Sequence, residues 1–552
     1  MKKTILAMAM AAPMVLSAVP ANAETLKIGM SQYPEGLHPV LVSNSAASYI
    51  LSTAWRHSVI YGKEWEPHCN VCVEIPTFEN GLAERYSRED GSEGIKLTVS
   101  IKDDLYWGDG TPVTSKDLQL GWEIERDERV GNPGLQEAQT MERFVAVDDK
   151  TFEVYLNKIS FKYRTDYFPD PMPEHIEGEI YRADPSSYSK TTKYSTEPTN
   201  PGLFYGPYVL SKVSAGSFIT AERNPYWKGK SPAFDEIIFK TVENTAALEA
   251  HLLSGSADYI PGELGLSLDQ ALQLQKRQGD KFKFHFEPGL LYEHLDTNID
   301  NPHLAKKEVR QALMYGANRQ QLVDKLFMSK QPIAHTNTSP RDFGYSEEVK
   351  QYEYDPKKAK ELLKQAGYTL KNGVMVDGEG NELHLELMTT AGNKTRELVQ
   401  QVLQSQWKQI GVKVSIVNQP ARVYFGETLT QRKHKGLAMF AWYSAPENPP
   451  RTTLHSNSTP TEANNWSGQN YIGYKNPEMD ALLDKVEAEL DDDKREAIFR
   501  DIQNIYAEDL PALPLYFRSD SFVMPKWLEG VTPTGHMFPS TNWVEEWYSA
   551  KK

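Results

Sequence analysis

Ser187–Tyr188–Ser189–Lys190 places a hydroxyl and an amine at the Ser-x-x-Lys spacing of the penicillin-binding enzymes. There the Ser is a nucleophile, but it works with an S-D-N and a K-T-G element, and neither occurs in this chain. The match is read as chance. No G-x-S-x-G elbow, H-E-x-x-H helix or G-x-x-x-x-G-K-[ST] loop is present either, which removes the common hydrolase, zinc-protease and nucleotide-binding chemistries. Asp377–Gly378–Glu379–Gly380–Asn381–Glu382 has carboxylates but not the EF-hand spacing, and reads as a hairpin turn. Asp491–Asp492–Asp493 reads as a helix start, where acidic side chains meet the positive end of the dipole. No catalytic residue, metal site or cofactor is expected, and the chain reads as a binding module rather than an enzyme.

The two cysteines, Cys69 and Cys72, stand in His68–Cys69–Asn70–Val71–Cys72. A redox pair would need a thioredoxin-like βαβ setting, and a zinc site would need a second ligand pair. A local disulfide suits an exported chain, and so short a loop would stabilise less than a long one.

Export is read from the first residues. Met1–Lys2–Lys3 is basic, Thr4 to Pro20 is apolar and small, and Ala21–Asn22–Ala23 is an A-x-A cleavage site. A soluble exported protein cleaved after Ala23 is expected. The 552 residues carry 60 basic and 75 acidic side chains, a net charge of −15. Such a balance without a basic stripe argues against nucleic acid and anionic membranes as partners. The 11 Trp, 28 Tyr and 20 Phe are plentiful; most must be core, and a surplus beyond core needs would suit a cleft that grips a ligand by apolar faces.

The elements that would position such a cleft are strands alternating with helices. Leu97, Val99 and Ile101 alternate as in a half-buried strand, and Phe152, Val154 and Leu156 repeat the pattern. Asp166 to Pro201, rich in Pro, Tyr, Ser and Thr, reads as irregular connection. Asp355 caps a helix with Pro356 in its first turn and Gly367 at its end. Val399, Val402, Leu403 and Trp407 form another helical face, and Leu482, Leu483, Val486 and Leu490 a third. Asn372–Gly373 and Asp377–Gly378 punctuate a hairpin around Leu383, Leu385 and Leu387. The fold class is α/β.

The segment Ile101–Lys102–Asp103–Asp104–Leu105–Tyr106–Trp107–Gly108–Asp109–Gly110–Thr111–Pro112–Val113–Thr114–Ser115–Lys116–Asp117 reads as strand end, tight turn and helix start. It resembles, nearly residue for residue, a segment of the family 5 extracellular solute-binding proteins, the periplasmic peptide/oligopeptide-type receptors of ABC importers. Gly206–Pro207–Tyr208–Val209–Leu210 and Glu222–Arg223–Asn224–Pro225–Tyr226–Trp227 are similar to later blocks of that family. So are Val309–Arg310–Gln311–Ala312–Leu313, Asp355 through Tyr368, Asn476 through Leu483 and Leu513–Pro514–Leu515–Tyr516. Asn318 stands where the family usually has Asp. The blocks follow in order along the whole mature chain.

The resemblance implies a two-lobed periplasmic binding protein clamp with an extra subdomain inserted in the first lobe. Lobe I would comprise 24–67, 202–294 and 516–552, the inserted subdomain 68–201, and lobe II 295–515, with hinge crossings near Asp296–Asn298 and Pro514–Tyr516. It implies a monomer that captures a peptide or other small organic ligand and delivers it to an inner-membrane ABC permease. A non-peptide ligand such as an oligosaccharide, or a sensing or chaperone-like use of the same clamp, is the alternative. Peptide-binding members carry a Trp followed three residues later by an Asp that holds the ligand amine. Here the run is Trp442–Tyr443–Ser444–Ala445, so a neutral residue stands at that place, and burying an unpaired ammonium would be costly. Glu447 could supply the carboxylate instead. Arg422 could supply a cation for the ligand carboxylate, since Met388–Thr389–Thr390–Ala391 has none. The expected ligand-binding residues are therefore Tyr33, Arg422, Trp442, Tyr443, Ser444, Glu447 and Trp466, with Tyr33 closing the cleft from the first lobe.

Overall fold

The structure is a computed structural model that describes residues 24–551 except Glu243 and Glu263. The leader and its cleavage site lie outside these residues. Among the described residues no helix is long and apolar enough to cross a membrane.

Three larger sheets organise the chain. In the first, Thr25–Met30 runs parallel to Glu236–Thr241, which pairs antiparallel with Phe218–Arg223 and through it with Tyr208–Ser214. The second is an antiparallel sheet of Ala83–Ser87, Glu93–Ser100, Thr151–Leu156 and Met141–Ala146. It rests on the alternation seen in the sequence: Ile95, Leu97 and Val99 face inward, as do Phe152, Val154 and Leu156. These two sheets share one continuous apolar core, in which Ile28 and Phe239 belong with Leu97 and Val154. The third sheet has five strands, in the order Lys413–Ile416, His384–Met388, Leu437–Tyr443, Phe282–Thr297, Ala512–Pro525. It packs on a separate core that includes Val309, Leu363, Leu387, Trp407 and Leu513.

Local signals set many of the ends. Gly110 turns at φ +91°, and Thr114 and Asp117 form a reciprocal capping box on the helix Ser115–Glu125. Asp355 accepts from the backbone N–H of Lys357 and Lys358 at the head of Pro356–Gln365, and Gly367 follows in the left-handed region. Two expectations are corrected. Asp166 to Pro201 is not all irregular: Glu174–Ala183 is a helix started at Pro173, and its Glu177, Gly178 and Tyr181 are buried. The Asn372–Gly373 turn does make a hairpin, between Thr369–Lys371 and Val374–Val376, but His384–Met388 lies elsewhere, parallel to two strands of the five-stranded sheet. Its Leu385 and Leu387 are fully buried, as a central parallel strand requires.

Phe282–Thr297 and Ala512–Pro525 pair antiparallel along nearly their whole lengths. Phe282, Phe284 and Phe286 pack beside Leu248, Ile260 and Val523, whereas Leu295, Leu513 and Leu515 belong to the core of the five-stranded sheet. The pairing slips between Pro288 and Tyr292, so the ladder breaks several residues before the Asp296–Asn298 crossing read from the sequence. Just past this bulge sits Glu293, with no exposed side chain, held by Arg396 (Nε–Oε1 2.6 Å) and Arg518 (Nη2–Oε2 2.6 Å). Burial pushes its carboxyl up, but the two guanidinium groups outweigh burial and hold it below its ordinary value.

Removing one charge from such a network leaves the others uncompensated. Glu293→Gln is expected to destabilise the protein by about 3–5 kcal/mol, read as an earlier urea midpoint. An unchanged midpoint would show that the pair of arginines is solvated rather than dependent on Glu293.

Candidate ligand-binding site

Strand register builds one wall of a cavity. Leu437–Tyr443 pairs with Phe282–Thr297 so that Trp442 lies opposite Tyr292, Phe440 opposite His294 and Ala438 opposite Asp296. Because successive side chains alternate, these residues share one face, while Glu293 and Leu295 point to the other. On the shared face the rings interlock. His294 stacks on Tyr292 at 4.8 Å and 3° and meets Phe440 edge-on at 4.6 Å. Phe440 meets Trp442 edge-on at 5.2 Å, and Trp442 stacks on Tyr471 at 5.7 Å. Such contacts fix ring orientation as well as burying area.

The cavity bounded by this wall offers about 80 Å³ and is also lined by Ser444, Asn448, Gln469 and Tyr506. The Tyr292 and Tyr506 hydroxyls are 2.6 Å apart. His294 Nδ1 lies 3.1 Å from the Tyr292 carbonyl, and its Nε2 lies 3.0 Å from Asp296 Oδ1. Both side chains are at most 2 % exposed.

Of the residues chosen from sequence, Trp442, Tyr443 and Ser444 come together at this cavity. Tyr443 is half exposed, and the Ser444 N–H donates to the Leu290 carbonyl at 3.2 Å. The other four do not line it. Tyr33 packs half-buried on the core of the first sheet. Arg422 is exposed in the turn Ala421–Val423. Trp466 is half-buried at φ +61° in a loop whose Gln469 does reach the cavity.

Glu447 has a different commitment. Its carboxylate accepts from Arg495 Nη2 at 2.9 Å, and its N–H donates to Asp342 Oδ1 at 2.7 Å. Arg495 is wholly buried and lies against the rings of Phe161 and Phe343. Burial pushes the Glu447 carboxyl up, against the opposing pull of Arg495 and Arg164. Asp342 is pushed up to about 7, by burial first and by the Glu447 charge, against the backbone N–H groups it accepts. Glu447 is thus tied to Asp342 and Arg495, within the same 295–515 stretch of chain, and sits beside contacts with the rest of the molecule. Around it, Tyr61 donates to the Pro446 carbonyl at 3.4 Å, and Arg164 grips Asp492 with two bonds of 3.0 and 2.9 Å.

Tyr292, His294, Asp296 and Tyr506 were missed in the sequence reading. A signal existed: in Tyr292–Glu293–His294–Leu295–Asp296–Thr297 ionisable residues fall on both faces of a strand flanked by Leu290, Leu291 and Leu295, and an interior strand tolerates such groups only with dedicated partners.

A larger cavity, about 580 Å³, lies apart from this one, between Ser43–Val59, Asn132–Met141 and Met537–Asn542. Its charges pair locally: His57 with Asp170 at 2.6 Å and Arg56 with Glu545 at 2.6 Å. Cys69 and Cys72 are joined as a disulfide in the strand region next to it.

Two outcomes follow from the Glu447 cluster. Glu447→Gln should lower the thermal midpoint, because it removes the buried one of the two counter-charges on Arg495, Asp492 at 2.7 Å remaining, and costs about 1–3 kcal/mol; loss of ligand affinity with an unchanged midpoint would instead place Glu447 on the ligand. Asp342 titrates near 7 in the folded chain and near 4 when unfolded. Between those values the folded state holds the extra proton, so this group's contribution to stability falls as pH rises. Asp342→Asn should therefore gain on the wild type between pH 4 and 7 in chemical denaturation; a pH-independent difference would contradict the assignment.

Residues 77–465 match the family described as bacterial extracellular solute-binding proteins, family 5 middle region. The oligopeptide-binding protein AppA of Bacillus subtilis is 26% identical over 486 residues, covering 85% of this chain and 83% of its own. The oligopeptide-binding protein of Thermus thermophilus, solved with a pentapeptide, superposes with a TM-score of 0.66 at 27% identity, covering 95% of this chain and 96% of its own. NikZ of Campylobacter jejuni, solved with Ni(L-His), superposes with a TM-score of 0.69 at 20% identity, covering 95% and 99%. The fold is the two-lobed α/β clamp these structures share, and the family is one of binding receptors rather than enzymes. The chain belongs to family 5 of the bacterial extracellular solute-binding proteins.

Proposed function

We propose that this receptor captures a peptide or peptide-like ligand between its lobes in the periplasm and presents it to an ABC-type permease. The observation that carries the reading is the cavity at the end of the strand pair, walled by Trp442 and Tyr443 with Ser444 beside them. Aromatic faces hold ligands of varied sequence by apolar area, and a few polar groups set orientation. The oligopeptide-binding relatives support the peptide class. The likeness to a protein holding Ni(L-His) keeps a small chelate as the second reading.

Contacts made by both lobes favour a closed state, and only such differential contact shifts the population. Glu447, tied to Arg495, is assigned to a buried ion pair rather than to a ligand amine. Tyr33, Arg422 and Trp466, away from the cavity, are kept as candidates for a longer ligand's outer contacts.

Small-angle scattering on the exported protein, stripped of ligand and then saturated with a pool of tri- to pentapeptides, should show a smaller radius of gyration. Arg164→Ala, which removes a half-exposed bridge to Asp492 worth about 0–1 kcal/mol, should leave both radii nearly unchanged. A radius indifferent to peptides that bind by calorimetry would overturn the clamp.

A further inference from the structure

The floor of the cavity holds the His294 imidazole and the Asp296 carboxylate, 3.0 Å apart with no hydrogen bond made by His294 Nε2. His294 Nδ1 lies within hydrogen-bond distance of the Tyr292 carbonyl. A carbonyl oxygen only accepts, so Nδ1 carries the proton in that bond. In the neutral ring this leaves a lone pair on Nε2. That nitrogen is buried and makes no hydrogen bond, although it stands 3.0 Å from the Asp296 carboxylate. Asp296 is the one carboxylate among the residues lining the cavity, and neither Lys nor Arg lines it. The other buried imidazole close by, His434, is held down to about 4 chiefly by burial and adds no positive charge at neutral pH. The walls around the floor are the faces and edges of Tyr292, Trp442 and Tyr506.

We propose that this floor is a subsite for a cationic nitrogen group of the ligand, an ammonium or a guanidinium, seated on Asp296 and His294 inside the aromatic walls. The proposal rests on the peptide-receptor reading and deepens it. An N–H donor with a positive charge can donate to both groups and also offset the carboxylate charge, which a neutral donor such as water or an amide cannot offset. A buried carboxylate beside a bare lone pair is costly to leave unmatched, and aromatic faces add to the attraction for a cation. The room, about 80 Å³, exceeds the roughly 10–15 Å³ that one water needs on the same measure, and suits a side-chain head or a chain terminus rather than a whole residue. Two donors fall short of the three or four protein ligands that a zinc-type ion takes, and among the described residues no group of three or more metal-ligating side chains converges. The site replaces the anchor that Ala445 does not provide.

Isothermal calorimetry on the full mature protein decides it. The probes are Ala-Lys-Ala, Ala-norleucine-Ala, and the N-acetylated, C-amidated form of each. Wild type should bind cation-bearing probes about tenfold or more tighter than N-acetyl-Ala-norleucine-Ala amide, the uncharged member, as expected for a charge-assisted contact. Asp296→Asn should shrink that ratio to about twofold or less on the same grounds. If the seat takes a lysine head, acetylation will not matter; if it takes the terminal ammonium, norleucine will replace lysine without loss. Trp442→Leu, which leaves the charged floor intact, should weaken the cation-bearing probes by about three- to tenfold. An Asp296→Asn ratio equal to that of the wild type, in protein with an unchanged melting profile, overturns the subsite alone. So does stoichiometric Ni²⁺ binding that Asp296→Asn abolishes. Failure of every probe to bind the wild type overturns the peptide reading and the subsite with it.

Discussion

Everything at the candidate site depends on the antiparallel pairing of Phe282–Thr297 with its two neighbours. One strand crosses from the apolar cluster around Leu248 and Ile260 to the core around Leu313 and Trp407, and its register decides what each face presents. With the observed register, Glu293 meets Arg396 and Arg518 on one face while Tyr292, His294 and Asp296 meet the cavity on the other. A slip of one residue would exchange the two sets, placing Glu293 in the cavity and His294 against two guanidinium groups. The bulge between Pro288 and Tyr292 therefore shapes the site as well as the backbone. Gly289 there comes so close to the Gly535 carbonyl that an added Cβ would lie 3.2 Å from it.

Much of the scaffold was legible because its signals are local. The capping box at Thr114–Asp117 and the Asp355–Pro356 helix start with Gly367 at its end each depend on residues within a few positions of one another. The fold class followed from the series of landmarks. The parts that were not legible depend on partners distant in sequence. Leu383, Leu385 and Leu387 read equally well as a hairpin arm and as a central strand, and only the approach of Leu437–Tyr443 and Lys413–Ile416 on either side selects the second. The helix Glu174–Ala183 was hidden by the prolines before it, although Pro173 stands where a proline does no harm, ahead of the first helical turn.

The same reasoning separates the seven chosen site residues. Trp442, Tyr443 and Ser444 were picked from a contiguous run on one strand, and one strand end delivers all three to one place. Glu447 was picked for its charge. Its side chain is claimed by Arg495, 48 positions away on the long helix Asp492–Asp509, and its backbone, at φ +55°, by Asp342. No spacing in the sequence announces either partner. Conversely, Asp296 was expected only as part of a hinge crossing, yet the alternation of ionisable and apolar residues around it marks a strand whose two faces both do polar work.

The energetic weights of these groups differ in a way that suits a receptor. The Arg164–Asp492 bridge between the halves has side chains 21 % and 48 % exposed, and pairs of that kind contribute about 0–1 kcal/mol. The Tyr61 bond to the Pro446 carbonyl, at 3.4 Å, is long for an O–H donor. These two contacts thus contribute little, whereas Arg341 joins the same parts of the chain through Glu287 and the Lys63 and Thr534 carbonyls. The Glu293 network, by contrast, is buried and doubly paired, and it fixes the strand on which the cavity stands. On the proposed clamp reading, a ligand seated at the cavity wall shifts the population of a closed form only through contacts it makes there and not in an open one.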